Sequence, residues 1–218
     1  MNIRIPYIVS LFALFALVAC ETGPIASDPP EARNTAMEGL ETFKALAAFN
    51  PETEGFSSES EVKAATLGTG TNIHYMHVDQ VAQHNEGNDP EALIKDGNEW
   101  MYEVLLNGEA KAAIIVRWVE GNWEVAQMGN SALIKALSEV KNQHMQENNM
   151  TPEAYRLVRI PGMYHYWISF QDQGETYFVQ AFERPEYGHQ KHDVISASEM
   201  LSTIAEAAQN FESAIQEP

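Results

Sequence analysis

The sequence contains one cysteine, Cys20, in 218 residues. A lone thiol excludes an internal disulfide framework and any cysteine-built zinc site. Positive charge is also scarce, with 13 lysines and arginines against 31 aspartates and glutamates, a formal charge of −18. This balance argues against nucleic acid as a partner, because phosphate binding needs clustered cations. It argues equally against adsorption to anionic membranes through basic patches. Long apolar runs are limited to one. Residues 5–20 carry no charge, but 16 residues fall short of the roughly 20 that a spanning helix needs. Core-forming material is plentiful, at 44% hydrophobic and 10% aromatic, which excludes wholesale disorder and suits a single domain.

The apolar run is preceded by Arg4 and followed by loop-type residues. A short positive region before a short apolar region is the pattern of an export signal. A cut after Ala19 by ordinary signal peptidase would place Leu17 three residues before the cleavage point, where a small side chain is required. Leu17-Val18-Ala19-Cys20 instead resembles the lipobox of bacterial lipoproteins, with the only cysteine at the required position. The resemblance implies diacylation of the Cys20 thiol, cleavage before Cys20, and acylation of the new amino group with a palmitate-like chain. In such proteins an aspartate after the cysteine favours inner-membrane retention. Glu21 stands there, so the resemblance implies an envelope protein held by lipid, in the outer rather than the inner membrane. Cleavage leaves 199 residues with 12 basic and 31 acidic side chains, a charge of −19.

The expected organisation is therefore a signal peptide over 1–19, an acylated cysteine and flexible tether over 20–31, and one domain over 32–218. The tether sequence ETGPIASDPPE has no apolar periodicity and three prolines. Met37, Leu40, Phe43 and Ala47 predict a helix over about 30–49, ended by Asn50-Pro51. A short helix is expected over 59–67, stopped by Gly68, with Gly68 to Ile73 read as a flexible turn leading into a strand over 71–78. Residues 79–97 read as irregular, with short helices after Asp79 and Asp89-Pro90. Three β-rich runs follow at 99–107, 110–119 and 123–128, separated by Asn107-Gly108 and Glu120-Gly121-Asn122. Such turn dipeptides predict an antiparallel meander. A helix over 131–148, strands over 155–160, 163–171 and 175–183, and a last helix from Ser196 complete the reading. Glu199 supplies a capping box, Ile195 a hydrophobic staple against Met200, and Leu201, Ile204, Ala208 and Ile215 the buried stripe. The fold class is α+β, a mainly antiparallel sheet packed with helices.

Candidate chemistry is thin. His189, His192 and Asp193 could ligate a metal, and three ligands plus water would make a catalytic centre. His-x-x-His in a loop is an unspecific pattern, and a solvated loop is the plainer reading, so no metal or other cofactor is assigned. His74 and His77 sit three apart on a strand and face opposite ways. His77, Asp79, His84 and Glu86 would converge only if their loop folded back. Gly129-Asn130-Ser131-Ala132-Leu133 lies between strand and helix like a nucleophile elbow, but Leu133 replaces the second glycine, and an N-cap role for Asn130 or Ser131 is simpler. Gly68-Thr69-Gly70 lacks the third glycine of a dinucleotide loop and precedes a strand instead of following one.

The aromatics are more informative. Alternation places Tyr164, Tyr166, Ile168 and Phe170 on one face of a strand, with His165 and Trp167 on the other. Large side chains on both faces mean either two covering layers or an open aromatic groove for a glycan, lipid or peptide. Leu67-Gly68 before a strand, Trp100 and Tyr102 opening the meander, Gly121-x-Trp123, Gly129 and the Leu133/Leu137 pair resemble a group of bacterial exported α+β proteins. Those marks are structural, so the resemblance implies no catalytic residues. The sequence thus points to an envelope lipoprotein, joined to the membrane through Cys20, whose domain binds an envelope protein or a small apolar ligand without transforming it. Two other readings remain open. One is an envelope hydrolase, metal-dependent if the late histidines gather. The other is a structural accessory subunit of an envelope complex.

Overall fold

A computed structural model describes residues 28–85 and 87–216, with side chains described as far as Phe211. Cys20 and the lipobox lie outside the described residues, as do Glu86 and the side chain of Ile215. Among the described residues no helix is long and apolar enough to cross a membrane.

The domain is α+β, built on one eight-stranded sheet. The chain runs α1 (Pro30–Ala47), α2 (Glu59–Ala64), β1 (Thr66–Tyr75), α3 (Val78–Ala82), β2 (Lys95–Leu106), β3 (Glu109–Val119), β4 (Asn122–Gly129) and α4 (Ser131–Asn148). It continues through β5 (Arg156–Ile160), β6 (His165–Asp172), β7 (Glu175–Gln180), β8 (Val194–Ser196) and α5 (Ala197–Gln216). The strand order is β4-β3-β2-β1-β5-β6-β7-β8. Two four-strand meanders therefore run outward from a central pair, β1 and β5, which is the one parallel pairing among the described residues.

The turn chemistry explains the meanders. Asn107-Gly108, Glu120-Gly121 and Gln173-Gly174 each place two successive residues at positive φ. That is the two-residue hairpin turn whose twist matches the strands it joins. At the last helix, Ser196 Oγ accepts from the Glu199 amide at 3.2 Å, and Ile195 and Met200 are buried in one cluster.

Strand alternation sorts the core onto two faces. Trp100, Tyr102, Val104, Ile114 and Val116 pack under α1 and α2. Their neighbours Met101 and Ala113, with Ile73, pack under α4 on the other face. In the second meander Val158, Trp167 and Phe178 meet α3 and α5. Leu157, Ile168, Phe170 and Val179 face α4. Since Ile73 pairs with Leu157, α1 and α5 share one face and α4 alone serves the other. Eight strands at about 4.8 Å spacing span roughly 34 Å, three times a helix width of about 10 Å. One helix cannot cover that face, so part of it stays open.

Five expectations change. Residues 66–70 are strand, not helix or flexible turn: β1 begins at Thr66. Gly70 is needed inside it because a Cβ there would lie 2.9 Å from the Tyr102 ring. The same contact lets Asp28 reach the Tyr102 hydroxyl, while Arg33 donates to Asp28 at 3.1 Å and to the Gly68 carbonyl at 3.2 Å. Residues 28–31 thus belong to the domain, and the boundary expected after residue 31 falls inside α1. Strand β2 starts at Lys95, where Gly97 admits the Ile73 carbonyl to 2.7 Å of its would-be Cβ at an irregularity in the β1–β2 pairing. Finally, β8 was not foreseen, and Tyr164 leaves the strand face for a left-handed turn, 74% exposed.

Candidate functional site

The open part of the α4 face forms a groove of about 620 Å³. Its wall is the last turns of α4, through His144, Glu147 and Asn148, together with Met150. Its floor is Phe170, Gln171 and Asp172 of β6, Tyr177 of β7, and Val194 of β8. Phe170 and Tyr177 are direct cross-strand partners. Their rings stack at 5.5 Å with an interplanar angle of 18°. On the helix side His144 lies 4.5 Å from Phe170, tilted by 39°. Three rings therefore form a ladder from α4 across β6 to β7. Phe170 is buried at its centre and Tyr177 is half-buried.

Local interactions hold each rung. The Tyr155 hydroxyl lies 2.8 Å from His144 Nδ1 and 3.4 Å from Met150 Sδ. Burial holds the His144 imidazole below its ordinary range and pushes the Tyr155 phenol up to about 12. Both are neutral at neutral pH. Tyr177 donates to Glu175 Oε2 at 2.8 Å, and that carboxylate raises its phenol. The polar rim consists of two carboxylates and two amides, from Glu147, Asp172, Asn148 and Gln171. Among the described residues no lysine or arginine lines the groove. Phe170 and His144 are buried, so the ring surface on offer is chiefly that of Tyr177, beside hydrogen-bond acceptors and amides and, among the described residues, no cation to hold an anionic ligand.

The expected face assignment holds for Tyr166, Ile168 and Phe170, which point toward α4, and for His165 and Trp167, which point away. Tyr177 and His144 complete the groove. Tyr177 was visible as a strand aromatic, but its register against Phe170 needed the two-residue turn to be placed. His144 lies 26 residues upstream of Phe170 and carries no local signal.

The late histidines are not brought together. His192 lies 3.7 Å from Glu139 Oε1, a carboxylate also held by Lys191 at 2.7 Å. Asp193 accepts from the Gln190 amide at 2.6 Å and closes its own turn. His189 sits in an isolated bridge with Arg184. Among the described residues no three of His, Cys, Asp and Glu gather as a metal-ligand set. His77 packs edge-on against Tyr75 at 4.9 Å. At the strand-to-α4 junction the positive φ falls on Asn130, at 66°, and not on Ser131, and Asn130 makes no side-chain cap bond. A nucleophile elbow strains the nucleophile itself. Ser131 simply opens α4.

Three histidines, His74, His144 and His165, are held below their ordinary range, chiefly by burial. An unfolded chain takes up protons at about pH 6.5 that these folded sites refuse. Their contribution to stability is complete above that pH and is lost as the pH falls through the depressed folded values. Thermal unfolding should therefore show a Tm that declines from pH 7 to pH 5, with a shallower decline in His144→Gln. An unchanged Tm across that range would contradict the assignment.

Comparison with family models, with curated proteins and with solved structures finds no match to this chain.

Proposed function

We propose that the protein is an envelope lipoprotein, anchored through acylated Cys20, whose α+β domain binds a neutral glycan in the groove between α4 and β6–β8 without transforming it. The observation that carries the ligand class is the ring ladder of Tyr177, Phe170 and His144 beside a cation-free rim. A sugar presents an apolar C–H face that stacks on an aromatic ring and hydroxyls that pair with carboxylates and amides. A fatty acid or phosphate would instead meet Glu147 and Asp172 with nothing to neutralise its charge. A lipid tail would leave the four rim side chains unpaired.

The anchor reading rests on Leu17-Val18-Ala19-Cys20 and on the charge that follows it. Residues 21–61 hold nine acids against Arg33 and Lys44. Anionic headgroups repel such a segment within about a Debye length of 8 Å, which favours a domain standing off the bilayer.

The test of the ligand class is calorimetric titration of the mature chain with neutral β-linked tetrasaccharides of glucose and of N-acetylglucosamine. Saturable binding is expected, weakened about tenfold by Tyr177→Ala, in line with loss of roughly 1.4 kcal/mol of stacking. Absence of binding, or binding insensitive to Tyr177→Ala, would remove the glycan reading. Preferential binding of a quaternary amine would replace it with a cation–π site.

A further inference from the structure

The same sheet face holds a second, chemically opposite site. A cavity of about 60 Å³ lies beneath the start of α4. Its base is apolar, formed by Ile73, Met101, Ile134 and Leu157, all buried. Its other end is polar, with Gln127, Asn130 and Arg159 in the lining. None of its lining residues is shared with the glycan groove.

Charge at that polar end runs against the rest of the molecule. Glu99 is 3% exposed and is held by two arginines. Arg117 Nε donates to one carboxylate oxygen, and Arg159 Nη2 donates to the other at 2.5 Å. Two guanidiniums on one carboxylate leave a surplus of one positive charge, in a chain of −18. Arg159 Nε is buried and has no acceptor among the described residues. A guanidinium N–H shut away from water and left without an acceptor is destabilising, so the site favours any molecule that supplies one. The N-terminus of α4 adds to the preference. It has no acidic residue in its own first turn and no side-chain cap, and the carboxylate of Glu54 lies against Gly129 just before the helix.

The geometry points to a binding site for a short-chain aliphatic monocarboxylate. Its carboxylate accepts from Arg159 Nε and the Gln127 side chain. Its hydrocarbon tail fills the space between Ile73, Met101, Ile134 and Leu157. The cavity equals about two water volumes of ~30 Å³, so the tail is two or three carbons long. Propionate and butyrate fit, and octanoate is too long. The inference stands apart from the glycan reading, because the two sites use different residues and opposite charge.

The test is titration of the mature chain, followed by ¹H–¹⁵N shifts, with acetate, propionate, butyrate and octanoate, and with butyramide as the uncharged control. The expected result is saturable shifts at Leu133, Ile134 and Arg159, tightest for propionate or butyrate. Butyramide should bind at least tenfold more weakly. Arg159→Gln should abolish binding. Should that variant fail to fold, Gln127→Leu should weaken butyrate at least fivefold, while Tyr177→Ala should leave it unchanged. No saturation by any acid, equal binding of butyramide, or binding that survives both Arg159→Gln and Gln127→Leu would overturn the proposal.

Discussion

Replacing Lys141 with methionine should destabilise the domain by about 3–5 kcal/mol, the usual penalty for leaving a buried charge unpaired. Lys141 is 3% exposed on α4, and its ammonium lies 2.8 Å from Glu103 Oε1 on β2, itself 7% exposed. This pair sits where α4 crosses the first meander, within otherwise apolar packing. Removing the lysine strands the Glu103 carboxylate in a low-dielectric layer, where it must stay charged without a partner or take up a proton. For a chain of this size each kcal/mol shifts Tm by about 2–4 °C, so a fall of roughly 6–20 °C is expected by calorimetry. The double replacement Glu103→Leu with Lys141→Met should recover most of the loss, because it removes both desolvation penalties together. If the single variant melts within 2 °C of the parent, α4 does not bury this pair.

Replacing Cys20 with alanine should abolish both fatty-acid labelling and cleavage before residue 20, so that the 218-residue precursor accumulates in place of the 199-residue mature chain. The Lys141 effect concerns the domain; this one concerns the address. Burial of acyl chains contributes about 0.8 kcal/mol per CH₂, and more than one chain gives stable anchoring. Labelled fatty-acid uptake and the intact mass of the chain report this directly. Continued labelling of Cys20→Ala would contradict the lipobox reading. The domain itself should be indifferent to the change, since the described fold begins at Asp28 and is pinned there through Tyr102 and Arg33.

Legibility in the sequence followed the range of the physics involved. Asn107-Gly108 and Glu120-Gly121 specify their hairpins locally, because positive φ at two successive positions is a demand few residues meet. Strand β1 misled for the same reason. Gly68 and Gly70 look like a turn, yet Gly70 is present to admit the Tyr102 ring from the neighbouring strand, a cause located 32 residues away. Strand β8 is three residues long and pairs only through its register with Tyr177, Phe178 and Val179. No periodicity can reveal so short a segment. The parallel junction of β1 with β5 spans about 80 residues of chain and has no local signature, so the two meanders could not be joined from the sequence.

The candidate groove shows the same division. Alternation placed Tyr166, Ile168 and Phe170 together on one face, and the structure keeps them there. What covers that face is a matter of layer geometry: two helices and their neighbours fill one side of the sheet, and α4 alone meets the other. The carboxylate cavity was invisible for a further reason. Glu99, Arg117 and Arg159 sit on three different strands and meet only across the sheet.

The most direct test of the account is to map where a neutral tetrasaccharide touches the protein, using ¹H–¹⁵N shifts of the mature Cys20→Ala chain. Perturbations are predicted at His144, Asn148, Phe170, Asp172 and Tyr177, with Ile134 and Arg159 undisturbed. Perturbations confined to the cavity under α4, or the lack of any saturable change, would contradict a glycan-binding groove.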